Sequence, residues 1–323
     1  MTTGMQGRRD SGRKGGRRKG RGELAMVPDA EFTSYYGRPV VKASPWQTDI
    51  PAYLFLGGLA GGSSLLAAGA DLSYRPGLRR SARATALGAV TLSAAALVHD
   101  LGRPERFHHM LRVAKPTSPM SVGTWILTAY GPMAGLAALI ELPPLRRFGA
   151  VGRVAGSVAA ALGPALASYT AVLLSDTATP SWHEARGQLP FVFVGSAAAA
   201  AGGMGILTAP LAESGPARRM AVGGAALELA MAERMRRAMG LSAEPLQAGR
   251  AGGYLRAARA LTTGGAVLAA AGGRSRVASM AAGAALLAGS VCTRFGIFHA
   301  GQQSAQDPRY TVVPQRERVD AAR

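Results

Sequence analysis

Cysteine is nearly absent: Cys292 is the single one in 323 residues. That excludes a disulfide framework, a thiolate zinc site and any iron–sulfur cluster held by this chain alone. Charge is scarce too, with Asp, Glu, Lys and Arg making up 17% of the chain, against about 25% in a soluble domain. Aromatic residues are only 6%. None interleaves with the basic residues of the body as a base-stacking surface requires, so a pI near 11.3 does not point to nucleic acid.

What is present is apolar and small: 48% hydrophobic residues and 43 glycines. The mean hydropathy of +0.12 understates the body, because two polar arms dilute it. Residues 1–45 carry ten Lys/Arg and four Asp/Glu, and residues 302–323 carry four and three. The 23 basic and 11 acidic residues left over 46–301 cluster between long apolar runs. A soluble fold cannot keep such runs from water. The chain reads as a multi-pass protein of the cell (plasma or inner) membrane, in contact with membrane lipid.

Residues 1–27 form a Gly-rich cationic arm expected to be disordered. No apolar stretch follows its paired arginines before Ile50, so no cleaved signal peptide is expected. Residues 28–51, rich in Pro and aromatics, read as an extramembrane lead-in that brings Trp46 near the interface. A membrane domain follows over 52–300, then a polar tail over 301–323.

A hydrocarbon core about 30 Å thick needs roughly 20 apolar residues per helix. Residues 52–70, 116–140, 154–175 and 187–212 contain no charge. Residues 277–293 make a further span ending at Arg294. Three spans are weaker: 84–98 before His99-Asp100, 218–233 interrupted by Glu228 and Glu233, and 258–273. The fold class is therefore all-α, with about eight transmembrane helices packed as two four-helix bundles and both termini on one side. Gly57-Gly58 and Gly61-Gly62 on the first helix, and Ala197–Gly203 on the fifth, let backbones approach closely, which lipid-embedded helices need in order to associate. Loop charge is nearly balanced between the two faces, with a slight lean to cytoplasmic termini.

Ionisable residues within spans mark functional sites by default. His99-Asp100 closes the second span, either as an interfacial cap or as a pair that relays protons and hydrogen-bonds a polar ligand. Tyr169 lies inside the fourth span, where its hydroxyl needs a partner: a neighbouring helix backbone or a ligand carbonyl. Trp182 sits in the loop that follows. Glu228 is the deeper carboxylate of the sixth span, and Arg294 near the end of the eighth either pairs with it or snorkels to the interface. Asp71 reads as a helix cap. All five histidines lie near helix ends or in loops, so no haem is expected. Most of these groups lie towards the face where the termini emerge, as a site for a lipophilic ligand with a polar head requires.

The chain resembles the NrfD/PsrC family, the membrane subunits of polysulfide reductase-type respiratory complexes. The resemblance rests on Tyr53-Leu-Phe-Leu-Gly-Gly-Leu-Ala-Gly-Gly-Ser63, His99-Asp100-Leu-Gly-Arg-Pro-Glu-Arg-Phe107, Met120-Ser-Val-Gly-Thr-Trp125 and the Pro180-Ser-Trp182 loop. It implies an eight-helix subunit, without its own haem or cluster, that binds a quinone (menaquinone or ubiquinone). Such a subunit docks a four-cluster ferredoxin-like iron–sulfur protein attached to a molybdopterin enzyme. The resemblance assigns His99, Tyr169, Trp182 and Arg294 to the quinone, and Asp100, Glu228 and Arg294 to proton transfer and charge stabilisation. Trp46, Arg103, Glu105 and Arg106 are expected to meet the partner. A purely structural anchor and a proton-coupled transporter are the competing readings.

Overall fold

Proline sets many of the helix starts. Pro76, Pro119, Pro180, Pro190 and Pro216 stand in the first turn of their helices, where the missing N–H costs no bond and φ is already helical. The computed structural model of the chain describes residues 38–272 and 275–321. The basic arm 1–27 and the first part of the lead-in, 28–37, lie outside the described residues.

Regular structure among the described residues is helical throughout. The long helices are α1 (Asp49–Leu72), α2 (Pro76–Asp100), α3 (Pro119–Leu139) and α4 (Gly149–Ser175). The short α5 (Pro180–Glu184) precedes α6 (Leu189–Thr208), α7 (Gly215–Ala238), α8 (Gly249–Ala271) and α9 (Arg276–Gln306). A last helix, α10, covers Arg309–Ala321. The eight expected spans are thus α1–α4 and α6–α9, and the chain is an all-α polytopic membrane protein.

Six of the eight helices are long and apolar enough to cross a bilayer. The other two, α7 and α8, have 24 and 23 residues but carry more charge. Some of these charges are answered within the protein. Arg218 donates to Ser279 Oγ at 2.6 Å and to the Ala269 carbonyl at 3.0 Å, and Glu228 is buried.

The helices pack in two groups, α1–α4 and α6–α9, and α1 and α6 meet along the seam between them. Small residues make that seam possible. A Cβ on Gly62 would lie 2.7 Å from the Ala197 carbonyl oxygen; within the second group, one on Gly202 would lie 2.5 Å from the Ala221 nitrogen of α7. Both glycine clusters expected to serve close packing do so.

Two ends of the membrane domain can be told apart. At the rim where α1 begins, α2 ends, and His99 reaches Asp49 at 2.8 Å. At the opposite end, Arg79 bonds Asp71 and Glu141, each at 2.7 Å. Asp71 therefore ties α1 to α2 by an ion pair rather than serving as a simple cap. Arg75 donates to the Ala212 carbonyl at 2.6 Å, and Glu213 accepts from the Leu78 N–H at 2.9 Å, joining the two bundles at that end.

The polar tail is helical and docked rather than free. Tyr310 is buried, Arg309 pairs with Glu244, and Arg318 pairs with Glu184. The tail has little apolar surface of its own, so its contacts are largely charged ones that no hydropathy pattern displays.

Candidate functional site

Asp100 is the last residue of α2, and the chain turns away through Gly102 at φ 67°, a conformation that disfavours a Cβ. This turn starts the 3₁₀ helix Pro104–Leu111, which stands exposed at the rim. Arg103, Glu105 and Arg106 are all solvent-facing on it, and none forms an ion pair among the described residues. Asp100 forms no ion pair with an arginine among the described residues. Asp100 lies near the Gln47 backbone, His99 and Asp49. His99, largely exposed, holds Asp49 at 2.8 Å.

Tyr169, on α4 six residues before its end, is 8% exposed. Its ring fills the space that glycine leaves on α3: a Cβ on Gly123 would lie 1.9 Å from the Tyr169 ring. Its hydroxyl makes no hydrogen bond among the described residues. Tyr130 shows the alternative, since its hydroxyl donates to the Ala60 carbonyl at 2.6 Å and lies 2.7 Å from Ser64 Oγ. Tyr130 is satisfied by its neighbours; Tyr169 is not.

Trp182 is placed differently from expectation. It is 1% exposed, stacks on Trp46 and Phe298 at 5.9 and 5.7 Å, and donates its indole N–H to the Ile297 carbonyl at 2.8 Å. A Cβ on Gly301 would overlap its ring. With its polar atom used and its faces covered, Trp182 is a wedge between α5 and α9. Trp46, half-buried, is partly committed to the same stack.

Arg294 is fully buried at the seam. Its Nη2 donates to the Phe193 carbonyl at 2.9 Å and its Nε to the Leu54 carbonyl at 3.4 Å, while the guanidinium lies 3.7 Å above the Phe193 ring. Gly58 leaves the room for it, since a Cβ there would stand 3.2 Å from Nη2. Arg294 neither snorkels nor forms a direct ion pair with Glu228. The reason is helical geometry. Adjacent residues point about 100° apart, so Thr293 faces α7 while Arg294 faces α1 and α6.

Glu228 therefore bonds Thr293, whose Oγ1 lies 2.6 Å from Oε1, and Oε2 has no partner. Ser196 and Ser290, 2.9 Å apart, continue this buried polar row. Glu228 also faces a cavity of about 750 Å³ between α7 and α8, shared with Thr262 and Thr293 and edged by Arg236, Arg256 and Arg259. Glu233 lies outside it, paired with Arg236 and Arg237 at 2.6 and 2.8 Å.

A family model described as polysulphide reductase, NrfD, matches residues 40–243. The chain belongs to the NrfD family. No curated protein matches it. The matched range runs from the lead-in through α7 and contains all four quoted motifs, together with Asp100, Tyr169 and Glu228. Arg294 lies beyond it, on α9, yet donates to the carbonyls of two matched helices.

The residues expected to form one site thus occupy two places in this NrfD protein. Asp49, His99 and Asp100 lie at the α1–α2 rim, with Tyr169 one to two turns inside α4. Glu228, Thr293 and Arg294 belong to the second bundle and the seam. Thr293, Ser196, Ser290 and Thr262 escaped notice in the sequence, where single hydroxyls in apolar helices are common. The i, i+3 spacing of Ser290 and Thr293 along α9, next to Arg294, was the available signal.

Proposed function

We propose that this NrfD subunit exchanges electrons between a docked iron–sulfur protein and the membrane quinone pool, as part of a molybdopterin-type respiratory oxidoreductase. The observation that carries the reading is Tyr169, a mostly buried side chain near the rim whose hydroxyl bonds no protein group among the described residues. Unlike the Tyr53 hydroxyl, which is enclosed without a partner among the described residues, the Tyr169 hydroxyl is not sealed off, and a ligand oxygen would satisfy it. Family membership supplies the class of ligand and of partner.

The residues present suit a quinone. Bound there, a quinone supplies two-electron chemistry coupled to proton uptake or release. Tyr169 would donate to one ligand oxygen and fix its orientation. Asp100 and the His99–Asp49 pair, open to water at the rim, would exchange protons with the medium. Arg294 sets a fixed positive charge in the low-dielectric seam, where its field is weakly screened. Glu228, linked to Thr293, would hold a proton in the second bundle. The exposed 3₁₀ helix with Arg103, Glu105 and Arg106 offers the surface for the iron–sulfur protein.

Replacing Tyr169 by Phe in the assembled complex tests the proposal. Loss of one hydrogen bond of about 1.4 kcal/mol predicts quinol-linked turnover roughly tenfold lower, with complex assembly intact. A purely structural anchor predicts no change.

A further inference from the structure

At the end of the domain opposite the rim, α2 begins, α3 ends and α4 begins around a second pocket of about 420 Å³. Six arginines line it: Arg79, Arg80, Arg83, Arg146, Arg147 and Arg153. Glu141 is its one carboxylate. Arg79 and Arg83 are answered by Glu141, at 2.7 and 2.9 Å, and Arg79 also by Asp71. Arg80, Arg146, Arg147 and Arg153 form no ion pair among the described residues. Like charges gathered at this density repel one another unless an anion joins them.

A second observation points to that anion. Arg83 is 6% exposed, and its Nε is buried without a partner. Its guanidinium lies against glycines of α4: a Cβ on Gly156 would stand 2.9 Å from Nη2, and one on Gly152 would stand 3.5 Å from Nη1. A side chain at Gly156 would push the guanidinium aside, while one at Gly152 would meet Ile140 first, at 2.8 Å. A buried donor with no acceptor costs about 1–3 kcal/mol in its own right, so the arrangement calls for an acceptor that no described residue provides.

We propose that this pocket binds the phosphate headgroup of an anionic phospholipid. Arginine forks match phosphate oxygens in pairs, and the pocket is the size of a headgroup rather than of a macromolecule. What selects a lipid over free phosphate is the surface leading away from it. Val151, Val154 and Val158 form an exposed apolar row along α4, and Leu136 and Leu139 are exposed on α3. These rows start beside the arginines and run into the hydrocarbon region, where acyl chains would lie. Basic pockets between transmembrane helices are an established physical setting for such headgroups. The site is separate from the rim and does not depend on the quinone reading.

The test is native mass spectrometry of the full chain in detergent. It is titrated with phosphatidylglycerol, with phosphatidylcholine of the same acyl chains, and with glycerol phosphate. Phosphatidylglycerol is expected to bind about tenfold tighter than either comparison ligand. Replacing Arg80, Arg147 and Arg153 together by Gln spares the pairs to Asp71 and Glu141. It should remove that preference while leaving the lipid-free melting temperature unchanged. Equal binding of the two phospholipids overturns the proposal, as does a triple variant that folds and keeps the preference. Glycerol phosphate binding as tightly as the whole lipid also overturns it, in favour of a soluble phosphate ligand. The three-ligand comparison on the unaltered chain decides the matter even if the variant does not fold.

Discussion

Gly61 of α1 and Gly163 of α4 face each other backbone to backbone: a Cβ on either would lie 2.4 Å from the other's carbonyl oxygen. Neither backbone can retreat, because α1 is held on its other sides by α2 and α6. Gly163→Ala is therefore expected to cost about 1–3 kcal/mol, the range for overpacking a close-packed core. A lowered melting temperature in detergent checks this. Gly69→Ala on the same helix as Gly61, where a Cβ meets nothing within 4 Å, should leave it unchanged.

Trp182 separates packing from chemistry. Its buried ring and committed indole N–H predict that Trp182→Ala destabilises by about 3–5 kcal/mol. Trp182→Phe, which keeps most of the ring but not the bond to Ile297, should cost less. Affinity for quinone analogues in the folded fraction should be unaltered by the Phe variant. Calorimetry and ligand titration on the same samples read the two effects apart.

At Arg294, a lysine would keep the charge but lose the planar group that spans two carbonyls and stacks on Phe193. Arg294→Lys should lower the melting temperature, and Arg294→Met should lower it further if the fixed charge is what the seam requires. If Met instead proves as stable as Arg, the guanidinium is retained for activity and not for stability.

The exposed rim helix makes a kinetic prediction. Arg103 and Arg106 carry no ion pair among the described residues, so their replacement by Glu should leave the membrane domain folded. It should slow association with the iron–sulfur protein, with an effect that shrinks as salt is raised. Surface plasmon resonance at two ionic strengths measures this.

Much of the architecture could be read from the sequence because lipid enforces a simple rule: long uncharged runs such as 116–140 and 154–175 must be helices. The rule weakens for α7 and α8, which carry more charge, part of it answered far along the chain, as Arg218 is by Ser279. The docked tail was hidden for the same reason, since Arg309–Glu244 and Arg318–Glu184 are charged contacts that leave no periodic trace. At the site, residue type identified Tyr169, Glu228 and Arg294 as costly groups, but not where each would point. Thr293 and Arg294 are neighbours in sequence and face different helices, so Glu228 acquired a hydroxyl partner instead of the cation. The packing of Trp182 left no trace in the sequence, because it depends on Gly301, far along the chain on α9, making room for its ring.

The central claim is that a lipid-soluble carrier meets this NrfD subunit beside Tyr169 at the α1–α2 rim. Photolabelling the assembled complex with an azido-quinone and mapping the modified peptides tests it most directly. The account predicts label on the α4 segment around Tyr169 and on the end of α2 at His99-Asp100, both displaced by excess unlabelled quinone. Displaceable label confined to the cavity between α7 and α8, with none on α4, would contradict it.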